Sequence, residues 1–597
     1  MIKLSWLTTI PMMFSVLVSY ISNNIGNKSV GLLDWKTSKS QDFIFILQES
    51  SKNKIGYVMQ KALYTNILPL SASESLWYDY SKKIKEKEKE KINIQIINDL
   101  KKVGLLFSLI MYFLMSIIWM KFDIQTSNFQ LFCLLTSVVS KLGELGLGLL
   151  FAIDGVSLPF ILLVGVIMPI VYLSNWTTVE RNVGKYVFII ILLELFLIAV
   201  FIVIDLILFF VFFESTLPLL FVLIGLFGAT EKFRAGYYIF LYTFLGSMFM
   251  LLSFSKGSSD SGNTNFKSFD SMNFFTSLQE LVWIVLLLTF SVKTPIVPFH
   301  IWLPLAHSDA NVSGSIILAS IVLKLALYGF IRILIGIYTI ATVKLIPSVL
   351  SFCSLSLVYS SFTTIRQFDL KVLVAYSSVA HMASTLFGTF SDTLVGLIGS
   401  ILFGLAHGFV SPGLFFIVGA IIYDRFGSRF INYYKGLSNI LPLFALFFLF
   451  FVFGNMGVPL TANFLGEFLS LLGAYQQNIF VASLGALSII ISAVYSIFMY
   501  NRVTSGSISP FTIVVPDVFR KEHFVLLPLL FFTIIIGIYP YFLSSEVEFG
   551  LSNLLLFTPS IISFADHNND DNRLRNTFSN LSFTPPPGGP WLIKNNF

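Results

Sequence analysis

Charge is scarce in this chain, and so is cysteine. Only 12% of its 597 residues are Asp, Glu, Lys or Arg, while 55% are hydrophobic; an ordinary soluble domain carries about twice that charged share. A water-soluble globule cannot cover its surface with so few polar groups. The polypeptide must lie in lipid, and its length counts membrane-spanning helices rather than soluble domains. The two cysteines, Cys133 and Cys353, sit far apart in apolar surroundings. They exclude a disulfide framework, and an iron–sulfur cluster held by cysteines of this chain alone. No G-x-G-x-x-G turn follows a strand-like run, so no nucleotide site is expected. The opening MIKLSWLTTIPMMFSVLVSYI lacks both the Arg- and Ser-rich character of an imported transit peptide and a small-residue cleavage site. It is expected to remain as an uncleaved first span. Sixty-four phenylalanines, with plentiful Ile, Asn and Lys, fit a strongly AT-biased, organellar coding sequence.

What the chain has instead is apolar runs long enough to cross a bilayer, about fourteen of them. The expected fold class is an all-α polytopic membrane protein. Residues 1–20 form a first span, and 21–102 a polar charged insertion that includes KKIKEKEKEK at Lys82–Lys91. The second and third spans follow over 103–185, with a surface segment between them near Phe129–Phe151. Residues 186–340 and 345–501 hold five spans each, 502–545 a loop and the last span, and 546–597 a polar, Pro-rich tail. The two five-span blocks form a weak internal repeat. The seventh and twelfth spans are both interrupted by proline, and each carries an ionisable residue, Lys293 and Glu467. Each is preceded two spans earlier by another, Glu214 and His381. Paired broken helices in corresponding halves are the sequence sign of an inverted-repeat transporter.

The stretch Ser291–Arg332 concentrates this chemistry. It sets Lys293 and Lys324 deep in apolar runs, the first followed at once by Pro295 and Pro298. Proline breaks a helix and frees carbonyls, and in lipid such backbone survives only where protein or a wet cavity satisfies it. A lysine beside that break is a candidate site for ion or proton passage. Snorkelling to the interface is the plain alternative, but the run LVWIVLLLTFSV before Lys293 argues against it. His381 and His407 lie in the tenth and eleventh spans; an imidazole titrates near neutrality and suits a relay, although either could equally be a packing residue. Glu467 could be a cap or packing acid, Glu194 could face a neighbour or a cavity, and Arg332 near a helix end could snorkel. Tyr376, Ser377, Ser378 and Ser411 are candidate water ligands.

KTPIVPFHIWLPLAH, the following GSIILASIVLKLALYGFIR and the earlier IDGVSLPFILL resemble the antiporter-like membrane subunits of respiratory complex I, in the branch that includes the bacterial M subunit. The resemblance spans roughly residues 151–500. One departure stands out: after LPLAH the family usually has Val/Thr-Glu-Ala-Pro, where this chain has SDAN. The resemblance implies inverted repeats of spans four to eight and nine to thirteen, with Glu214 and Lys293 as the essential pair. It implies that Lys324 is the second lysine and His381 and His407 the membrane histidines. Glu467 stands where the sister subunits carry lysine. The implied function is proton translocation coupled to NADH:ubiquinone electron transfer. Flavin, iron–sulfur clusters and ubiquinone would be held by partner subunits, and no cofactor by this chain. The partners implied are other complex I membrane subunits, especially the sister chains 2 and 5, and lipids such as cardiolipin; no nucleic acid is expected. Localisation would be the mitochondrial inner membrane. Two alternatives remain: a subunit of an Mrp-type cation/proton antiporter, marked by cation-coupled flux without NADH, and a non-conducting scaffold, indifferent to loss of Lys293.

Connections after odd-numbered spans carry net positive charge, and the termini with the other connections carry net negative charge. Positive loops stay on the side of synthesis, so both termini should face the intermembrane space. The Lys82–Lys91 cluster and the Arg425–Lys435 connection should then resist protease in intact mitoplasts and be cut once the inner membrane is opened. Cutting before opening would overturn the topology.

Overall fold

The computed structural model describes residues 70–134, 150–229, 231–261, 264–266, 276–512 and 514–552. The expected first span at Leu4–Tyr20 and the tail beyond residue 552 lie outside these residues. Two units divide the chain, Met1–Leu100 and Lys101–Phe597. In the first, the described residues 70–100 are helical throughout, Lys82–Lys91 included. The second holds everything that follows.

Helix α1 (Leu70–Lys121) contains the apolar stretch Gln95–Lys121. The expected surface segment contributes two short strands instead, β1 (Gln130–Leu134) paired antiparallel with β2 (Leu150–Ile153); residues 135–149 lie outside the described part. Helices α2 (Ser157–Ser174), α3 (Val183–Ile202), α4 (Leu206–Phe227) and α5 (Lys232–Ser261) come next. The seventh span is split into α6 (Thr276–Lys293) and α7 (Trp302–Asp309). Then follow α8 (Val312–Ile335), α9 (Thr339–Ile365), α10 (Leu370–Thr389) and α11 (Leu394–Phe426). The twelfth span is split into α12 (Pro442–Asn455) and α13 (Ala462–Gln477), and α14 (Ile479–Thr504) and α15 (Arg520–Ile538) close the set. Eleven helices are each long and apolar enough to cross a membrane; with the two broken spans they make thirteen crossings among the described residues. The chain is an all-α polytopic membrane protein.

Burial sorts these helices. Of the apolar windows of α8 and α11, 94% and 100% is covered by protein, against 28% for those of α1 and α15. Helices that are apolar all round and covered all round form the centre, while the half-covered ones present Phe, Leu and Ile to lipid. Small residues let the central helices approach. A Cβ on Gly404 of α11 would lie 2.7 Å from Leu327 of α8, and one on Gly399 would lie 2.7 Å from the Ser470 amide of α13.

The repeat shows in matching caps. Asp205 accepts from the Ile207 and Leu208 amides at the start of α4, and Asp369 from the Lys371 amide at the start of α10. Beside each cap the incoming chain bonds to the loop that leaves the next helix. Leu206 N–H donates to Thr264 O and Phe266 N–H to Ile204 O; in the second block Leu370 N–H donates to Arg429 O and Ile431 N–H to Phe368 O. Burial pushes the Asp205 carboxyl above its ordinary range, opposed by hydrogen bonds from Thr264 and the two amides. Asn311, the last residue of the SDAN run, caps α8 by accepting from Gly314 N–H at 2.9 Å.

Gly399→Val should force α11 and α13 apart and destabilise the protein by about 1–3 kcal/mol, the usual cost of overpacking. A lower melting temperature and less assembled complex on native gels are expected; unchanged values would place the packing elsewhere.

Candidate functional site

Helix α6 ends at Lys293 because Pro295 and Pro298 cannot continue it. The freed backbone is satisfied inside the protein. Trp302 Nε1 donates to Val292 O at 2.7 Å, and Val297 N–H to Ser356 Oγ at 3.0 Å. Lys293 is buried and donates to Phe213 O at 3.1 Å, with its ammonium 3.2 Å from the centre of the Phe213 ring. A desolvated cation–π contact is worth about 2 kcal/mol. Glu214, the next residue of α4, has both carboxylate oxygens buried without a hydrogen-bond partner among the described residues. It interacts electrostatically with Lys293, but the two make no ion pair within 4 Å. The expected pair is adjacent and open.

Lys324 lies on α8 between two π-helical turns, Leu318–Val322 and Phe330–Ile335. Such turns shift the hydrogen-bond ladder and recur at functional sites. Its ammonium donates to Ala319 O at 2.7 Å, inside the first π turn, and lies 2.8 Å from Nδ1 of His407 on α11. With the ammonium donating, Nδ1 accepts and the neutral ring carries its proton on Nε2. That Nε2 is buried with no partner among the described residues. The ring of His381 on α10 is 5.7 Å from that of His407, and its Nε2 is 3.2 Å from Asn455 Oδ1. Asn455 is the last residue of α12, so His381 is tied to the break of the twelfth span. Glu467, 5% exposed, sits on α13 beyond that break. Gly457 in the break has φ +70°, and a Cβ there would fall 2.9 Å from Glu467 Oε2. The two broken spans differ in one respect: Lys293 precedes its break and Glu467 follows its own.

Comparisons with known proteins give the family to which the chain belongs. Residues 203–492 match the family described as NADH:quinone oxidoreductase/Mrp antiporter, TM. NADH-ubiquinone oxidoreductase chain 4 of Mycosarcoma maydis is 41% identical over 77% of this chain and 94% of its own. The chain belongs to the NADH-ubiquinone oxidoreductase chain 4 family. Among solved structures, a chain of respiratory complex I from Thermus thermophilus with bound NADH aligns with TM-score 0.69 at 25% identity, over 76% of this chain and 95% of that one. A chain of the Mrp complex from a Dietzia species aligns with TM-score 0.66 at 16% identity, over 78% and 93%, a likeness of fold.

In this chain-4 family member the structure adds two groups that sequence reasoning passed over. Asp369 caps α10 and places Lys371 in the first helical turn, where a cation opposes the helix dipole. Its ammonium is buried and donates to Ala310 O at 2.6 Å and Ser308 O at 3.5 Å, at the end of α7. Arg429, paired with Asp369 at 3.5 Å, also donates to Ser308 O. Two cations of the second block thus hold the negative end of the first block's half-helix. His307, in the quoted LPLAH, is fully buried, stacks 4.4 Å from Phe415, and has both ring nitrogens unpartnered among the described residues. It interacts electrostatically with Lys371 and Lys324. A cavity of about 430 Å³ opens onto Lys371, Ser308, Ala310, Asp424 and Arg429.

Other expected groups resolve differently. Arg332 does not snorkel: its guanidinium pairs with Asp154 at 3.2 Å and lies 4.2 Å from the centre of the Phe129 ring. The carboxylate within reach of its head outweighs the distance to the interface. Glu194 is fully buried on α3 with both oxygens unpartnered among the described residues. Ser377 and Ser378 donate to Val374 O, and Ser411 to His407 O, one helical turn back.

Lys371→Met should leave the Ala310 carbonyl buried without its donor, at about 1–3 kcal/mol. A lower melting temperature is expected, restored in large part by Lys371→Arg; no change in either variant would mean that Arg429 alone anchors α7.

Proposed function

We propose that this subunit moves protons across the mitochondrial inner membrane as part of respiratory complex I, along Lys371, His307, Lys324, His407, His381 and Glu467, with Glu214 and Lys293 as the control pair. The observation that carries the reading is the 2.8 Å contact of Lys324 with His407, continued through His381 to the break that faces Glu467. Lys371 begins a span on the side where the loops are positive, the matrix by the charge rule, so the cavity beside it is the intake. Glu467 lies past the break of a span that runs outward, so it delivers to the intermembrane space. Both termini then face that space. Flavin, iron–sulfur clusters and ubiquinone belong to partner subunits, with chains 2 and 5 as neighbours and cardiolipin among the lipids.

Each step asks little of the chain. Protonated Lys324 already donates to Nδ1 of His407, so transfer creates an imidazolium whose Nε2–H can be passed towards His381. Asn455 cannot carry the proton; accepting from His381 Nε2–H, it orients the ring. Lys293 now rests on Phe213. Drawing the Glu214 carboxylate to it would hold its proton, and withdrawing the carboxylate would leave a desolvated ammonium that readily gives it up. Each pKa unit is about 1.36 kcal/mol, so a swing of three units requires about 4 kcal/mol from electron transfer.

Lys293→Ala and Glu214→Gln should both lower NADH-driven proton transfer in inner-membrane vesicles and, through coupling, quinone reduction, while the complex assembles. An assembled Lys293→Ala enzyme with wild-type proton yield per NADH would end the proposal and leave a scaffold. Sodium- or potassium-coupled flux without NADH would favour cation exchange instead.

Glu467→Gln should impair pumping without loss of assembly. Normal pumping at every pH would make the acid structural.

A further inference from the structure

Glu194 is a buried acid that the relay leaves unused. It lies inside α3, and neither of its carboxylate oxygens has a hydrogen-bond partner among the described residues. Glu214 has Lys293 to face and Asp154 holds Arg332, whereas Glu194 makes no ion pair with a described cation. It stands eight residues before the end of α3, and Glu214 stands eight residues after the start of α4. The two helices are consecutive and cross in opposite directions, so both acids lie at the same depth. A carboxylate without donors at that depth would be costly, and the neutral acid would not.

A line of hydroxyls leads towards it from the intake cavity. Eleven residues separate Glu194 from Val183 at the start of α3, about 16 Å at 1.5 Å per residue. The cavity beside Lys371 is also lined by Asn175, which follows the last residue of α2. Asn175 Nδ2 donates to Ser313 Oγ at 3.0 Å, and both side chains face the Tyr186 hydroxyl. Tyr172 of α2 interacts electrostatically with Tyr186 and with Glu194. The Tyr172 hydroxyl lies 3.4 Å from Val187 O and the Tyr186 hydroxyl 3.5 Å from Val171 O, so both rings fill the seam between α2 and α3. Bonds that long are weak, and each hydroxyl can turn to a better acceptor. Packing accounts for two tyrosines in a helix seam. It does not account for an acid beyond them with no donor among the described residues.

We infer that Glu194 is a proton-storing acid of the pump, loaded from the intake cavity through Ser313, Tyr186 and Tyr172. The inference rests on the reading of that cavity as the intake. Each of the three hydroxyls takes up one proton and gives up one, and the carboxylate at the end becomes a carboxylic acid; emptying reverses the sequence. Asn175 carries no proton and orients Ser313. Emptying Glu194 adds one negative charge at the depth of Lys293, and loading removes it, so the store changes the field in which that lysine holds its proton.

The test uses infrared difference spectra of the purified intact complex, recorded on exchange into heavy water and on addition of NADH. The wild type should show the C=O stretch of a buried carboxylic acid, lost in Glu194→Gln and moved but not lost in Glu194→Asp. Tyr172→Phe and Tyr186→Phe should keep that band and slow its deuterium shift several-fold, an effect that a packing role would not produce. NADH should change the amplitude of the band, and Glu194→Gln should lower the proton yield per NADH in inner-membrane vesicles. Should Glu194→Gln fail to assemble, the moved band of Glu194→Asp assigns the acid and the two phenylalanine variants decide its loading. No band lost or moved by the Glu194 variants, exchange as fast in both phenylalanine variants as in the wild type, or a wild-type proton yield in assembled Glu194→Gln would overturn the inference. Failure of the relay is told apart from this, because a normal proton yield in Lys293→Ala leaves the Glu194 band and its dependence on the tyrosines in place.

Discussion

A buried lysine held against an imidazole, deep among apolar helices, is the constraint around which the rest of this molecule is arranged. Lys324 cannot be left alone there, since an isolated charge in a low-dielectric interior is costly by many kcal/mol. Its partners are the Ala319 carbonyl of a π turn and the His407 ring. The first lies within α8; the second requires α8 and α11 to touch closely, which Gly404 allows, and both helices are covered by their neighbours. The same closeness puts His381 next to His407 and, through Asn455, fastens the line to the end of a half-helix.

The two blocks are alike in backbone and unlike in charge. Asp205 and Asp369 cap corresponding helices beside corresponding bridges. In the first block the capping acid meets the neutral hydroxyl of Thr264; in the second it meets Arg429, which also reaches α7 of the first block. Lys371 makes the same crossing. The joint between blocks is therefore polar and built on the exposed carbonyls of a broken helix. Such carbonyls accept new donors with small movements, whereas a closed helical ladder does not. The breaks differ too: one keeps its cation before the proline, the other its acid after it.

Much of the fold could be read in the residues. Continuous apolar runs counted the crossings, and Pro295, Pro298 and Pro459 marked the breaks at which α6 and α12 stop, because a missing donor has a local effect that no packing repairs. The buried lysines, histidines and glutamates stood out since ionisable groups are rare in such runs. Less was legible where neighbours decide. His307 and Lys371 carry no local signal, because their importance comes from Phe415 and from the end of α7, far away in sequence. Snorkelling is open to Arg332 on sequence alone, and the Asp154 carboxylate beside it decides otherwise.

Composition and periodicity determined that this is a polytopic helical membrane protein, where its helices break, and which few ionisable residues lie within them, since each of these follows from the cost of placing polar groups in lipid. Only the tertiary structure decided which of those residues meet: that Lys324 touches His407, that Glu214 and Lys293 stand open, and that Lys371 holds the end of α7. The reason is geometric. A contact of about 3 Å depends on how helices distant in sequence cross, and no local pattern of residues encodes that crossing.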